Sequence, residues 1–547
     1  MKSSNTTAAF LTKYFFIGAV VALLLLTVAT RFYKLSIVPG GFTWDEAAIG
    51  YNGYGIITAR RDEWLVKLPI SFRSFGDYKA PLAIYVSGVF TYVFGMTEWS
   101  VRAPFAIAGV LFVFAVGVLI NELARQSNLK KEAVLIGMLL AVMSPWHFHF
   151  SRVGFESGIA VALVTGALAL LLIGKRLLSE QTLSNLIEKK LPYFTILGGV
   201  LLLIVSLYTY HSAKITVPFL VLYLVLQFRT TLKTNWIYFV GLTVVSALML
   251  YPLIQDTLYG SGATRANVLL FSQQLSSSEI AITTLVNTAK HFSPDFLLFG
   301  KVDFARHGAG KWGILSIPTF LLLLGLVGSL VYKSKFVFTQ HKNLLVVGLL
   351  LLITGILPAA LSAETVPHSN RAMLALPGFI ILAVAGFLSV LDIWAKNTQL
   401  VYRVFIGLII FIECAFFLSF WQHYFSAFAS ESTEAFQERY IPAMKIARDY
   451  EKGINGKPEV DKVIVSTEYG QPYIYALFVK KPSPIAYQGG TLYKYEFSEV
   501  ISSSDLERNN TLIVATPRNN MPADKATEII KGSDGSTRFE IYYTGRK

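Results

Sequence analysis

The sequence predicts a polytopic α-helical membrane protein, with about 11 transmembrane helices and a small α/β domain after the last of them. Hydrophobic residues make up 54% of the 547 positions and charged residues only 15%, whereas soluble domains carry roughly 25% charged residues. Eleven apolar runs precede residue 420, and a membrane span needs about 20 residues. The C-terminal segment that follows is polar. This composition excludes an ordinary soluble enzyme and a disordered chain.

The apolar runs define a membrane domain over residues 1–420, with the first run serving as an uncleaved anchor. They lie at about 14–30, 103–120, 133–148, 157–174, 191–209, 216–228, 236–254, 313–331, 344–360, 372–391 and 402–420. Basic residues concentrate in every second loop, for example Arg125, Lys130 and Lys131. Because cytoplasmic loops collect Lys and Arg, we expect a cell-membrane protein with a cytoplasmic N-terminus and an extracytoplasmic C-terminus.

Residues 81–97 are apolar enough to form a further span. Counting them as a span would place the basic loop after residue 120 outside and invert every later loop. We therefore predict a re-entrant or interfacial helix within the first outer loop. A plain span with an unusual charge distribution is the alternative.

Three large segments are predicted outside the membrane: the first outer loop at about 31–102, a long outer loop at about 255–312, and the tail at 421–547. In the tail, KVIVST, TLIVATP and RFEIYYTG are predicted to be strands, and a helix is expected to follow STEYGQPYIYALF. The net charge of +14 reflects the cytoplasmic loops rather than nucleic-acid binding. The single cysteine, Cys414, excludes an internal disulfide and a cysteine metal site.

The first outer loop carries the most informative polar residues. Thr43 and Glu46 have the spacing of a capping box at a helix start. Asp45 and Glu46 either favour that helix end electrostatically or point a carboxylate into a cavity. Lys79 precedes an apolar segment, where it either reaches the lipid headgroups or binds an anionic phosphate.

Two later outer loops add further candidates. The second holds His147, His149, Arg152 and Glu156, and the last holds His368 and Arg371. The second loop either places a carboxylate and basic neighbours on the same face as Asp45 or only decorates a helix end. Arg371 either binds a phosphate at the interface or anchors lipid headgroups. In the long loop, the stretch RHGAGKWG with Arg306, His307 and Lys311 is either a mobile substrate lid or a flexible turn.

Taken together, these motifs resemble the membrane-embedded glycosyltransferases of the C superfamily (the GT-C type), and in particular the bacterial protein-O-mannosyltransferase and lipid A aminoarabinose transferase family. The resemblance rests on TWDEA, DYKAPL with TEWSVRAPF, SRVGFES and HSNRAMLALPGF, in that order. The family often has Lys-Pro-Pro where this chain has Lys79-Ala80-Pro81, and an Asp where it has Glu156. The subfamily and the acceptor therefore stay open.

The resemblance implies a polyprenyl-phosphate sugar as donor and a lipid, protein or glycan as acceptor. It implies that Asp45, with Glu46 beside it, and Glu156 are the catalytic acids, and that Lys79 and Arg371 bind the donor phosphate. We add the basic neighbours His368 and Arg152 to the phosphate-binding set.

The residues suit this chemistry. A carboxylate can take the acceptor's proton as a general base, and cations can stabilise the departing phosphate. A divalent metal on Asp45 and Glu156 is compatible with the oxygen ligands of hard cations, although nothing in the sequence demands one.

Two other classes compete with a glycosyltransferase. A transporter or lipid flippase commonly has inverted repeats and broken spans; no repeat is visible, and Glu413 is the main ionisable residue within the runs. A scaffold that presents the tail outside would need no acidic and basic residues gathered on the outer face. The pattern of charges therefore favours an enzyme.

Overall fold

The computed structural model describes residues 2–180, 186–395 and 398–546, and it is a helical bundle followed by a sheet. The first part contains two short strands, β1 (Phe72–Ser74) and β2 (Asp77–Lys79), which form a hairpin. Its helices are α1 (Lys2–Phe32), α2 (Trp44–Ala59), α3 (Leu82–Phe94), α4 (Glu98–Leu123), α5 (Lys130–Met143), α6 (Pro145–Phe150), α7 (Ser157–Ser179), α8 (Leu186–Leu207), α9 (His211–Thr234), α10 (Trp236–Tyr259), α11 (Ser277–Lys290), α12 (Pro294–Leu298), α13 (Ile317–Ala360), α14 (Ser369–Ala372), α15 (Leu376–Val390), α16 (Gln399–Phe425) and α17 (Ala427–Glu431).

Among the described residues, nine helices are long and apolar enough to cross a membrane. The prediction of a polytopic helical protein is confirmed, and two features account for the difference from eleven runs. Helix α13 has 44 residues and contains two of the runs. Helix α5 has 14 residues, or about 21 Å of helix, and Ser144 separates it from α6.

The long helix α13 consists of two antiparallel halves. Its backbone leaves the helical region at Lys333 and His341, between two of the predicted runs. The first half runs parallel to α15 and the second half runs against it. The neighbours that show this are Leu322 with Gly386, Gly325 with Val390, Gly348 with Leu382 and Gly355 with Ala375. The two halves are therefore separate passes through the bundle.

The apolar segment after Lys79 forms the helix α3. It has 13 residues, which is shorter than the about 20 that a span requires. It packs on α2, where Gly53 and Gly88 bring the two backbones together: a Cβ on Gly53 would lie 2.5 Å from the carbonyl oxygen of Ile84. The length and packing of α3 agree with a helix inside the first outer loop.

The two ends of the bundle carry different charge networks. At one end, Arg176 Nε lies 2.9 Å from Glu122 and Arg176 Nη1 lies 2.8 Å from Glu180. The outer-loop candidates Asp45 and Glu156 lie at the other end, where both approach Lys79. This separation agrees with the loop alternation inferred from charge, while the orientation across the membrane stays a prediction.

We expect residues 121–132 to be cytoplasmic and the tail to be extracytoplasmic, because the basic loops lie at the end opposite the tail. Single cysteines introduced at Ser127 and Ser503 in a Cys414→Ser background test this in intact cells with a membrane-impermeant thiol reagent. Ser503→Cys should be labelled and Ser127→Cys should be protected until the membrane is permeabilised. The reverse pattern would contradict the orientation.

The tail forms a mixed five-stranded sheet, so the predicted α/β character is confirmed. Its elements are α18 (Tyr440–Lys452), β3 (Lys462–Ser466), α19 (Pro472–Lys480), α20 (Pro484–Gln488), β4 (Tyr495–Ser498), β5 (Thr511–Ala515), β6 (Glu528–Lys531) and β7 (Thr537–Tyr543). The strand order is β4-β3-β5-β7-β6, with β4, β3 and β5 parallel and the β5–β7 and β7–β6 pairs antiparallel. Helix α16 runs to Phe425, and the boundary at residues 420 and 421 stays a prediction.

The tail packs directly on the first outer loop. The Tyr475 hydroxyl donates a hydrogen bond to the Phe42 carbonyl over 2.8 Å. Gly470 has a φ of +116° and presses against the Trp44 ring, which would lie 2.2 Å from a Cβ at that position. Position 470 therefore favours glycine on both counts. These contacts place the tail over the start of α2.

Candidate active site

A polar cavity of about 400 Å³ lies at the outer-loop end of the bundle. Six parts of the chain supply its walls: the first, second, long and last outer loops, the short connection between α8 and α9, and the tail. The charged and polar lining residues are Asp45, Ser74, Asp77, Lys79, Glu156, Tyr210, Arg306, His307, Glu364, His368, Asn370, Arg371 and Gln471. Of the seven site residues expected from the sequence, the cavity lining contains five.

Asp45 reaches the cavity from the first turn of α2. The helix begins after Thr43, whose hydroxyl accepts from the Glu46 N–H while the Glu46 carboxylate accepts from the Thr43 N–H. The capping box is thus confirmed. It fixes the start of the helix, so that neighbouring carboxylates point in different directions: Asp45 into the cavity and Glu46 into the protein.

Lys79 lies between two of the cavity carboxylates, those of Asp45 and Glu156. Its ammonium nitrogen lies 2.8 Å from Asp45 Oδ1 and 3.9 Å from Glu156 Oε1. The β1–β2 hairpin holds it there, since Lys79 is the last residue of β2. The ammonium therefore stands where a cation shared by Asp45 and Glu156 would bind, which argues against a metal ion between those two carboxylates.

The ionisation of Asp45 follows from its neighbours. Burial raises the pKa of Asp45, but Lys79 and then Arg306 lower it more, so the net pKa lies below the ordinary value of 3.8. The carboxylate is therefore ionised at neutral pH and can accept a proton or a hydrogen bond.

Arg306 is a cavity residue that the sequence left undecided. Its guanidinium lies 5.2 Å from the centre of the Trp44 ring, a cation–π distance. Its backbone carbonyl lies 2.9 Å from His149 Nε2. Only the fold brings the long loop over the first outer loop, because the glycines around Arg306 are equally typical of a plain turn.

His368 and Arg371 reach the cavity from the last outer loop. Arg371 donates to Ser362 Oγ over 2.5 Å and also pairs with Glu364. His368 Nδ1 lies 3.3 Å from Asp303. Burial lowers the pKa of His368 to about 3, against the opposite effect of Asp303. The imidazole is therefore neutral, and the expected cationic role in phosphate binding does not suit it.

Glu46 and Arg152, two of the predicted site residues, have structural contacts instead. Glu46 is 1% exposed; its Oε1 lies 2.7 Å from Arg102 Nε and accepts from the Gly154 N–H. Arg152 is fully buried and donates to four carbonyl oxygens, those of Thr30, Arg31, Tyr33 and Val38. It satisfies the end of α1, where carbonyls lack partners within the helix, and it lines no part of the cavity.

A second cavity of about 210 Å³ adjoins the first, and Tyr210 and Arg371 line both. Its other walls come from α9, from Thr257 near the end of α10, from residues 262–269 after that helix, and from Pro358. Lys214 lies in this wall and donates to Thr257 Oγ1 over 3.1 Å. A ligand with a charged group at Arg371 would therefore have a second, largely apolar space beside it.

Comparisons with known proteins agree with this architecture. Residues 78–254 match the family described as dolichyl-phosphate-mannose-protein mannosyltransferase. The chain is also similar to the crystal structure of ArnT from Cupriavidus metallidurans in the apo state, with a TM-score of 0.54 and 13% identity over 96% of this chain and 98% of that one. It has the fold of a membrane-embedded C-superfamily glycosyltransferase.

Other solved structures support this glycosyltransferase fold. ArnT from Cupriavidus metallidurans bound to undecaprenyl phosphate matches with a TM-score of 0.51 and 12% identity, over 96% of this chain and 98% of that one. The apo oligosaccharyltransferase of Archaeoglobus fulgidus matches with a TM-score of 0.50 and 13% identity, over 93% and 70%. No curated protein sequence matches the chain.

The family match and the fold confirm the resemblance drawn from the outer-loop motifs. The segment that matches the family contains Lys79 and Glu156, and Asp45 and Arg371 lie on either side of it. The roles of these four residues in the reaction are proposals.

Proposed function

We propose that the protein transfers a hexose or pentose from a polyprenyl-phosphate donor to an acceptor at the outer face of the cytoplasmic membrane. The observation that carries the proposal is an ionised carboxylate, Asp45, paired with Lys79 in a cavity that also contains two guanidinium groups, those of Arg306 and Arg371. One anionic base and a set of cations are what this reaction requires. The similar ArnT structure bound to undecaprenyl phosphate supports a lipid-phosphate donor.

The donor phosphate is assigned to the cations of the cavity, Lys79, Arg306 and Arg371. Arginine suits phosphate because its planar donors can bind two oxygens at once. The second cavity shares Arg371 and faces α9 and α10, two helices that are apolar enough to span a membrane. This arrangement gives the polyprenyl chain a route from the bilayer to the phosphate site.

The chemical step is a displacement at the anomeric carbon. The acceptor oxygen forms a bond to that carbon, and the bond from the carbon to the phosphate oxygen breaks. Asp45 takes the proton of the acceptor hydroxyl, and the polyprenyl phosphate leaves with the bonding electrons and its negative charge. Glu156, on the other side of Lys79, helps to hold the ammonium in place.

A transfer assay with purified protein tests the proposal. The protein in detergent is incubated with polyprenyl phosphates that carry a labelled hexose or pentose, together with lipid, peptide and glycan acceptors. A glycosyltransferase releases unglycosylated polyprenyl phosphate and labels one acceptor class. A flippase gives neither product, because no bond is broken, and that result with every donor would reject the proposal.

A donor-binding measurement tests the residues proposed to bind the phosphate independently of the proposed base. Lys79→Ala and Arg371→Ala should each weaken binding of the polyprenyl-phosphate sugar by about 10-fold or more, because a charge-assisted bond contributes about 1.5–3 kcal/mol. Arg371→Lys should recover part of the affinity, since lysine lacks the bidentate fork. Lys301→Ala serves as the control, because Lys301 lies on the same side but is 72% exposed and pairs with Asp295.

Equilibrium binding of a fluorescent or radiolabelled donor in detergent gives these affinities. If Lys79→Ala and Arg371→Ala bound the donor as tightly as Lys301→Ala, both residues would be removed from the phosphate site. They would then act as headgroup anchors or as structural partners of Asp45 and Glu364.

A further inference from the structure

A cluster of one carboxylate and two imidazoles lies where the long outer loop meets the last one. We propose that Asp303, His307 and His368 bind a divalent transition-metal ion, for which Zn²⁺ has the best-matched chemistry, with a fourth position open to the cavity. Each of the three residues offers a ligand atom, and these atoms lie within 4.8 Å of one another. The cluster shares no residue with the Asp45–Lys79–Glu156 group.

The distances around Asp303 suit a small ion. Metal–ligand bonds of about 2.0–2.2 Å in a tetrahedral site place neighbouring ligand atoms about 3.3 Å apart. Asp303 Oδ2 lies 3.3 Å from His368 Nδ1 and 2.5 Å from His307 Nδ1. The shorter pair is a hydrogen bond. An ion takes the place of the proton between them, the His307 ring then carries its one proton on Nε2, and the two atoms move apart by about 0.8 Å.

The ligand types decide which ion is preferred. Imidazole nitrogens suit Zn²⁺ and related transition metals, whereas Mg²⁺ and Ca²⁺ prefer sites made of oxygen atoms. Three protein ligands with one open position are typical of zinc sites that exchange a water or substrate ligand. The site therefore differs in selectivity from an oxygen-only site on Asp45 and Glu156.

Hydrogen bonds from neighbouring groups hold the three ligands in position. Ser369 donates from its backbone N–H to Asp303 Oδ1 over 3.2 Å and from its hydroxyl to the His307 carbonyl over 2.7 Å. The backbone N–H of His368 donates to His291 Nε2 over 3.1 Å. Such outer contacts orient ligands and are a regular part of metal sites. The three ligand side chains are at most 6% exposed.

The position of the cluster suggests what the ion would do. His307 and His368 line the same cavity as Asp45 and Arg371. An ion there would add positive charge beside the departing phosphate, and this part of the inference rests on the proposed function. The binding of the ion itself does not depend on that function. Without an ion, the same contacts would only tie two loops together.

Metal analysis of the purified full-length protein distinguishes a metal site from a tie between loops. The protein in detergent is stripped with a chelator, incubated with Zn²⁺, Co²⁺ or Mg²⁺, and freed of unbound metal before elemental analysis. We expect about one Zn²⁺ per chain, visible Co²⁺ absorption bands that Zn²⁺ abolishes, and no retained Mg²⁺. No stoichiometric Zn²⁺ and no such bands would overturn the proposal.

Variants assign the site to its residues. Asp303→Asn, His307→Gln and His368→Gln should each weaken Zn²⁺ binding. Loss of a residue that only hydrogen-bonds a metal ligand costs about 10–100-fold in affinity, and loss of a ligand itself should cost more. His423→Gln is the matched control, since His423 also faces a carboxylate, Glu431, at 3.6 Å. Elution volume and melting temperature show which variants fold, and Zn²⁺ binding is compared among those variants only. Binding retained by all three ligand variants would place the ion elsewhere and overturn the assignment.

Discussion

Asp45→Asn is expected to lower the rate of sugar transfer by about 10²–10⁴-fold, the usual cost of removing a general base. Asparagine has nearly the size of aspartate but accepts no proton. Donor affinity should change little, because the cations of the phosphate site remain. Single-turnover rates with saturating donor and acceptor measure the effect. Asp295→Asn, the same change at an exposed outer position, should keep the full rate.

The pH profile adds a second test of Asp45. Its pKa lies below 3.8 because Lys79 and Arg306 outweigh the effect of burial. A carboxylate with a lowered pKa is ionised above that value and loses its function only as the pH falls through it. Asp45 should therefore stay ionised from pH 8 down to about 5, and its titration should not lower the transfer rate in this range. If Asp45→Asn kept most of the activity, Glu156 would become the candidate for the general base.

Arg102→Ala is expected to destabilise the protein by about 3–5 kcal/mol, because it leaves a buried carboxylate without its partner. Arg102 is fully buried and bonds Glu46 through two nitrogen atoms, at 2.7 Å and 3.0 Å. It also donates to the carbonyl oxygens of Leu35 and Gly41. The pair therefore ties the first outer loop to the start of α4.

Unfolding midpoints in detergent measure this loss. Glu46→Gln keeps the size of the side chain and one acceptor for the capping bond, so it should cost less than Arg102→Ala. Arg125→Ala is the control, because Arg125 pairs with Glu180 at an exposed site and such pairs contribute about 0–1 kcal/mol. An Arg102→Ala midpoint equal to that of Arg125→Ala would show that the buried pair contributes little.

The spans and three of the tail strands were predictable because their signal is local. An apolar run such as 236–254 can be recognised from its own residues alone. The strands β3, β5 and β7 consist mostly of buried residues. The strands β4 and β6 were missed. Both lie at the edges of the sheet and have only one buried residue each, so their hydrophobic pattern is weak.

The side chains at the site were less predictable than their loops. Sequence order places Asp45, Lys79, Glu156 and Arg371 in outer loops, and the cavity contains all four. The same reasoning included Arg152, whose donors serve helix α1, and left Arg306 undecided. Nothing local distinguishes a guanidinium that satisfies a helix end from one that faces a cavity. His307 and His368, which both contact Asp303, likewise become neighbours of each other only when two distant loops meet.

The cavity walls include residues from Asp45 to Gln471, and this span has a consequence for biosynthesis. A chain is made and inserted from its N-terminus, and its domains fold as they emerge. Asp45 and Lys79 are therefore present in the membrane long before the last loop and the tail reach them. An unfinished chain lacks the walls that the last outer loop and the tail supply. On the proposed function, sugar transfer should consequently begin only once the tail has folded onto Trp44, and a partly synthesised chain should be inactive.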